Sequence, residues 1–348
     1  MNGVASDSGN DTVTVTTGAL IMLDAFGIRN PKAFAVDAGD DRDTVLIFGE
    51  IVAKATAVLT PIVTPPAFPG SNYIYNALIK VAPEAKGIDG GAGNDTITNT
   101  GSVSSTSSAT TLPGLPAILE GIAKADISST ATAKSTAIDG GDNNDTITNF
   151  GNLAVDATAT AIGVSASLSP TAEDAGKSEL KGDVKASASA TGIAGGDGED
   201  TVTNLAAFDT TSSSFALVEA ASIIESNGSA AASAKSTSAS NAIAVDMGGG
   251  DDTLTNGGNI TATANSSAIA VNAAIGGKRD TDPQGKTKVS AEGGATATSS
   301  AIGIAADGVD TTFELEPELE LLNNDTSTTT RYIVTPKALA TGDRKSVV

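Results

Sequence analysis

One turn of fixed composition returns along this chain about every fifty residues, a spacing characteristic of stacked repeats. It reads Gly90-Gly91-Ala92-Gly93-Asn94-Asp95-Thr96-Ile97-Thr98-Asn99, then Gly140-Gly141-Asp142-Asn143-Asn144-Asp145-Thr146-Ile147-Thr148-Asn149. Two more copies follow, Gly195-Gly196-Asp197-Gly198-Glu199-Asp200-Thr201-Val202-Thr203-Asn204 and Met247-Gly248-Gly249-Gly250-Asp251-Asp252-Thr253-Leu254-Thr255-Asn256. Shorter relatives end in Asp11, Asp43 and Asp310, placing turns near 6–14, 38–46, 90–98, 140–148, 195–203, 247–255 and 305–313. A unit repeated this way cannot bury its apolar face alone and must stack on its neighbours. The expectation is an all-β parallel solenoid, β-helix-like, over residues 1–312, with loop insertions at one edge of each coil.

Composition sets how such a body can be held. Aromatic residues are 3% of the 348, Trp is absent, and much of the hydrophobic 40% is Ala. A core of Ala and Gly buries little area, and at about 25 cal/mol per Å² it returns little stability. Backbone ladders and bound ions must then supply more than usual. The formal charge of -21 argues against nucleic acid as a partner, because phosphate binding needs clustered Lys and Arg. The same acidic excess favours divalent cations, which relieve its self-repulsion. With no Cys there is no disulfide framework and no thiolate metal site. No apolar run is long enough for a membrane-spanning helix. Met1-Asn2-Gly3-Val4-Ala5-Ser6-Asp7 does not have the form of a cleavable signal. The reading is therefore of part of a longer protein, with residues 343–348 set apart as a non-native tail resembling translated sequencing-adapter DNA.

Each unit runs in one order: a small-residue strand, the Gly-Asp turn, the strand Thr-Ile-Thr-Asn, a corner, and a second small-residue strand. Ala157, Ala159, Ala161 and Gly163 alternate with polar residues, as do Ala186, Ala188, Ala190 and Gly192, so the Ala face is expected inside. Residues 60–86 read as a lid, residues 116–125 as a short helix opened by Pro116, and residues 170–183 and 278–288 as hairpin tips. Residues 313–342 read as capping strands, in which Phe313, Leu315, Leu319 and Leu321 alternate with Glu that discourages end-to-end pairing. Asn99, Asn149, Asn204 and Asn256 are expected to face inward and satisfy one another at the corner.

The turn itself suggests a cation. Gly lets the chain curl so that successive carbonyl oxygens face one hollow, and the Asp adds a carboxylate. These are ligands for a hard cation such as Ca²⁺, which takes six to eight oxygens. Equivalent turns about 4.8 Å apart in stacked coils could share one ion. The same residues also suit a plain tight turn, with Gly for geometry and Asp bonding to its own backbone. A phosphate cradle is disfavoured, because a strand follows each turn and no Gly-Lys-Ser/Thr ending is present.

The runs at 90–98 and 195–203 resemble the Gly-Gly-x-Gly-x-Asp-x-apolar-x nonapeptide of RTX (hemolysin-type) calcium-binding repeats. The resemblance implies calcium ligation at Gly90, Gly91, Gly93 and Asp95 and at Gly195, Gly196, Gly198 and Asp200. Partial matches extend it to Gly140, Gly141 and Asp145 and to Gly248, Gly250 and Asp252. It also implies a secreted bacterial protein, extracellular or at the cell surface, that folds with calcium. RTX nonapeptides run in tandem, whereas here each stands alone in its coil. Copy two carries Ala38-Gly39-Asp40-Asp41-Arg42-Asp43, and copy one has Ser6 and Asp7 in place of the Gly pair. A further carboxylate six residues before the first recurs as Asp37, Asp89, Asp139 and Asp246, either as an added ligand or as a cap on the turn.

Three functions compete on this reading. The first is a calcium-bound structural or adhesive module facing an extracellular polysaccharide or cell-surface ligand. The second is a polysaccharide-active β-helix enzyme, which the absence of His and of any residue breaking the repeat argues against, so no catalytic residue is assigned. The third is ice binding through regular Thr-x-Thr ranks, although Thr is also simply a favoured strand residue.

Overall fold

The computed structural model describes residues 2–6, 8–60, 73–112, 118–120, 123–169, 176–224, 228–276, 288–305, 327–334 and 346–347. Its strands form three sheets that the chain visits in turn, once per coil. The first long sheet stacks Asn2–Ala5, Lys32–Asp37, Glu84–Asp89, Ala123–Asp142, Gly176–Asp197, Gly228–Asp246 and Lys288–Ala305, with Tyr73–Val81 also on Ala123–Asp142. A short sheet follows each turn and stacks Thr12–Val15, Thr44–Ile47, Thr96–Asn99, Thr146–Asn149, Thr201–Asn204, Thr253–Asn256 and Ser346–Val347. The second long sheet runs from Leu20–Gly27 through Glu50–Leu59, Ser102–Thr111, Asn152–Ser169 and Phe208–Ile224 to Ile260–Gly276. Every one of these neighbours is parallel, the arrangement of a β-solenoid. Ser327–Val334 alone is antiparallel, closing the second long sheet on Ile260–Ser267.

Register follows the repeat. Asn99, Asn149, Asn204 and Asn256 stand opposite one another in the short sheet, and Ile97, Ile147, Val202 and Leu254 form the buried column beside them. Connections of variable length fall between a strand of the second long sheet and the next strand of the first, the single edge expected for the insertions.

The core is thin, as the composition requires. Ala157, Ala159 and Ala161 face in against Ala186, Ala188 and Ala190, all buried. Serines share this interior. Ser105 lies 2.8 Å from Ser135, Thr111 lies 2.6 Å from Ser129, and Ser212 donates to the Ala188 carbonyl at 2.8 Å. Sheets lined by short side chains approach closely enough for these hydroxyls to bond across the interior, which meets the polar cost of burying them, whereas the buried Thr210 hydroxyl has no partner.

Three local expectations are corrected. Residues 118–120 and 123–125 are strand, not helix, because a partner strand is offered at Ala166–Leu168 and at Ser178–Leu180. Within 60–86, Tyr73–Val81 and Glu84–Asp89 are strands of the first long sheet instead of a lid, and 61–72 lie outside the described residues. Within 170–183, residues 176–183 begin a long parallel strand, while 170–175 lie outside the described residues, as do 277–287 and 306–326 with Asp310 and the alternating Phe313–Leu321 segment. Among the described residues no helix is long and apolar enough to cross a membrane.

Candidate functional site

The turns stack directly on one another along the edge between the first long sheet and the short sheet. At the second position of the turn, Gly91, Gly141, Gly196 and Gly248 have φ of 93°, 108°, 113° and 70°, a left-handed conformation that side chains oppose. The fourth position of the turn is also left-handed. Gly93, Gly198 and Gly250 occupy it, and where Gly is missing Asp41 and Asn143 take φ 76°, residue types that tolerate it. Copies that depart from the sequence pattern thus keep its backbone.

First glycines serve a different need, which is space. A Cβ built on Gly140 would lie 2.7 Å from Oδ2 of Asp145 and would run into the Gly195 carbonyl oxygen. On Gly90 it would lie 3.1 Å from Oδ2 of Asp95 and meet the Gly140 carbonyl. On Gly195 it would lie 2.9 Å from Oδ2 of Asp200 and 2.6 Å from the Met247 carbonyl oxygen. In each case a carboxylate oxygen and a carbonyl oxygen of the next coil border the side of the turn that a bare Cα leaves open.

The aspartates form a one-way ladder. Oδ1 of Asp43 accepts the N–H of Asp11 at 2.7 Å, Asp95 that of Asp43 at 2.7 Å, Asp145 that of Asp95 at 2.7 Å, Asp200 that of Asp145 at 2.8 Å, and Asp252 that of Asp200 at 3.0 Å. Each acid ties down the turn of the coil before it. Asp95 and Asp145 are only 1% exposed, and Oδ2 of Asp43, Asp95 and Asp145 has no hydrogen-bond partner. Burial, opposed by the ladder bond and reinforced by neighbouring carboxylates, pushes the Asp95 carboxyl up to about 6 and that of Asp145 up to about 7. A row of desolvated oxygens with negative charge and no donor is what a cation or a proton would satisfy.

The second set of predicted carboxylates sits elsewhere. Asp89 and Asp139 line an open groove of about 590 Å³ on the outer side of the turns, with Asp37, Asp40, Asp142 and Asp197. Lys86 bridges the pair at 3.0 Å and 2.7 Å, and the two carboxylates raise its pKa against the opposing effect of burial. Its ammonium occupies the place an added cation would take. Asp246 instead accepts the N–H of Gly248 at 3.3 Å through Oδ1, the capping alternative.

The sequence pattern gives Asp43 no place among the ligands, yet it is buried and belongs to the ladder. The signal is present in Asp41, whose position in the turn needs only a residue that tolerates φ above zero. Arg42, beside the same turn, points its Nε to the Asn94 carbonyl at 3.3 Å. Among the described residues no three acidic side chains converge as a ready-made metal cage, so any ion here would draw most of its ligands from carbonyls.

Fold and site together define a parallel β-solenoid with a buried aspartate ladder. No family model, no curated protein and no solved structure matches the chain.

Proposed function

We infer that this chain is a calcium-binding structural or adhesive solenoid module of an extracellular surface, with ions held along the stacked turns. The observation that carries this reading is the row of buried, unpartnered Oδ2 atoms at Asp95 and Asp145, each beside a bare first glycine and a carbonyl of the next coil. Asp95, Asp145 and Asp200 would supply charge, and the carbonyls of Gly140, Gly195 and Met247 would supply neutral oxygens, the donor type Ca²⁺ prefers. Calcium would neutralise the ladder carboxylates in a chain whose formal charge is -21. The second and fourth positions, Gly91, Gly93, Gly141, Gly196, Gly198, Gly248 and Gly250, shape the backbone. Similarity to hemolysin-type turns is consistent with this reading, and secretion by a bacterium belongs to the same proposal. No residue is assigned a catalytic role.

A site with a dissociation constant of about 0.1 mM would contribute roughly 1.4 kcal/mol at about 1 mM calcium. Gaps between the four well-formed turns would together contribute about 4 kcal/mol, a sizeable part of a usual folding free energy. Thermal melts in EGTA and in millimolar calcium test this. A higher midpoint in calcium but not in magnesium supports the reading, and superimposable melts reject it.

One observation favours a second reading, ice binding. Thr12, Thr44, Thr96, Thr146, Thr201 and Thr253 form one outward column of the short sheet, and Thr14, Thr98, Thr148, Thr203 and Thr255 form a second, interrupted only by Leu46. A thermal hysteresis measurement decides it: none at high protein concentration removes this reading.

A further inference from the structure

The acids outside the ladder do not stack evenly. In the first long sheet one column runs Asp37, Asp89, Asp139, Ala194, Asp246 and Ala305. Three carboxylates therefore follow one another on successive coils about 4.8 Å apart, whereas Asp246 stands between two alanines. Like charges at that spacing repel, the more so when partly withdrawn from water. Three positions earlier on each strand, a second column reads Phe34, Lys86, Thr136, Thr191, Ile243 and Ile302. Its one cation lies at the middle of the acid run. The coil of the solitary Asp246 has an isoleucine in that place.

Lys86 is held from several sides. The oxygens of Asp89 lie 3.1 Å and 3.0 Å from its Nζ, Oδ2 of Asp139 lies 2.7 Å away, and Nζ is 5.5 Å from the centre of the Phe34 ring. Three carboxylate oxygens from two coils and an aromatic face from a third thus converge on one ammonium. The side chains of Lys86, Asp89 and Asp139 are only 15%, 14% and 18% exposed, so salt screens these contacts less than it screens a surface pair.

We propose that Lys86 determines where this solenoid takes calcium: it is a tethered cation that fills the outer acid column and confines calcium to the inner aspartate ladder. This role rests on the calcium reading of that ladder. An ammonium on a short tether has an effective concentration of about millimolar or more whatever the surroundings hold, and its charge repels a second cation. The ladder has no such guard, since Oδ2 of Asp95 and of Asp145 has no partner. Without the ammonium, Asp89 and Asp139 would face an open groove in which water can complete the six to eight oxygens that calcium takes.

Calorimetric titration of full-chain variants with calcium tests it. Lys86→Met should bind about one ion more per chain than the wild type. Lys86→Arg, which keeps the charge, should bind the wild-type number. Adding Asp89→Asn and Asp139→Asn to Lys86→Met should return the count to the wild-type value. Asp89→Asn alone leaves Lys86 its bond to Asp139, so it should change calcium affinity by less than about twofold. Thermal melts add a second readout: Lys86→Met should melt below the wild type in EGTA and gain more from calcium than the wild type does. An unchanged ion count in Lys86→Met, an extra ion that survives loss of both acids, an extra ion in Lys86→Arg, weakened binding in Asp89→Asn, or Lys86→Met melts lowered equally in EGTA and calcium overturns the proposal. A wild type that binds no calcium while Lys86→Met binds one rejects the ladder reading and leaves Lys86 as the guard of the outer column. No binding in either protein rejects both.

Discussion

Asp95 donates its backbone N–H to Oδ1 of Asp145 at 2.7 Å across two coils, and this bond leaves Oδ2 of Asp145 buried with no partner. One oxygen of the acid therefore holds the architecture while the other carries an unmet demand. The four internal acids from Asp43 to Asp200 repeat the first half of this arrangement, each linked to the coil before and the coil after.

The demand makes calcium-free stability depend on pH in an unusual sense. A carboxyl whose pKa is higher folded than unfolded binds its proton more tightly in the native state, so ionising it costs stability. The Asp95 and Asp145 carboxyls move from an ordinary 3.8 up to about 6 and about 7. In EGTA the midpoint should therefore fall as pH rises from about 4 to about 8. Calcium should flatten that slope. Melts across this range in EGTA and in calcium check both statements.

Replacing Asp145 by Asn keeps an Oδ1 acceptor for Asp95 and removes the charge. In EGTA at pH 8 the variant should be as stable as the wild type or more so, while its calcium-induced gain should shrink by about 1.4 kcal/mol per site lost. Asp145→Ala should lose the ladder bond as well and fall by about 1–3 kcal/mol with or without calcium. Chemical denaturation of the three proteins separates these outcomes.

Gly140→Ala places a methyl group 2.7 Å from Oδ2 of Asp145 and against the Gly195 carbonyl. The backbone must shift, costing about 1–3 kcal/mol, and calcium should no longer stabilise that turn. Gly141→Ala meets the Gly91 carbonyl and must also hold φ near 108°, so it should cost at least as much. Their calcium responses, measured by thermal shift, should differ in the same order as the wild-type geometry implies: Gly140→Ala loses the response most directly.

Asn149 links two neighbours, accepting from Asn99 at 2.8 Å and donating to Asn204 at 2.8 Å. Asn149→Leu should leave a buried amide donor and a buried acceptor without partners, a loss of about 2–5 kcal/mol that calcium does not recover. Urea denaturation measures it.

Much of this is legible in the residues. The period, the inward Ala faces at 157–161 and 186–190 and the Asn stack follow from side-chain alternation and polar satisfaction, both local properties. What is not legible depends on partners distant in sequence. Ile118–Glu120 carries apolar residues at a spacing that suits a helix equally well, and only Ala166–Leu168 makes it a strand. Ser105 and Ser135 carry no local signal of burial, which comes from two close sheets that bring them within 2.8 Å. Lys86 is one of many scattered cations in the sequence, and its place between Asp89 and Asp139 depends on coil register. Asp43 is found by the repeat yet left out of the ligand set because its turn has few glycines, although Asp41 can adopt the same left-handed backbone.

Calorimetric titration of the full chain with calcium at neutral pH decides whether the aspartate ladder holds cations. Saturable binding of about three ions per chain is expected, one for each gap among the four well-formed turns, weakened stepwise by Asp95→Asn and Asp145→Asn. Absence of saturable heat, or binding unchanged in both variants, would contradict it.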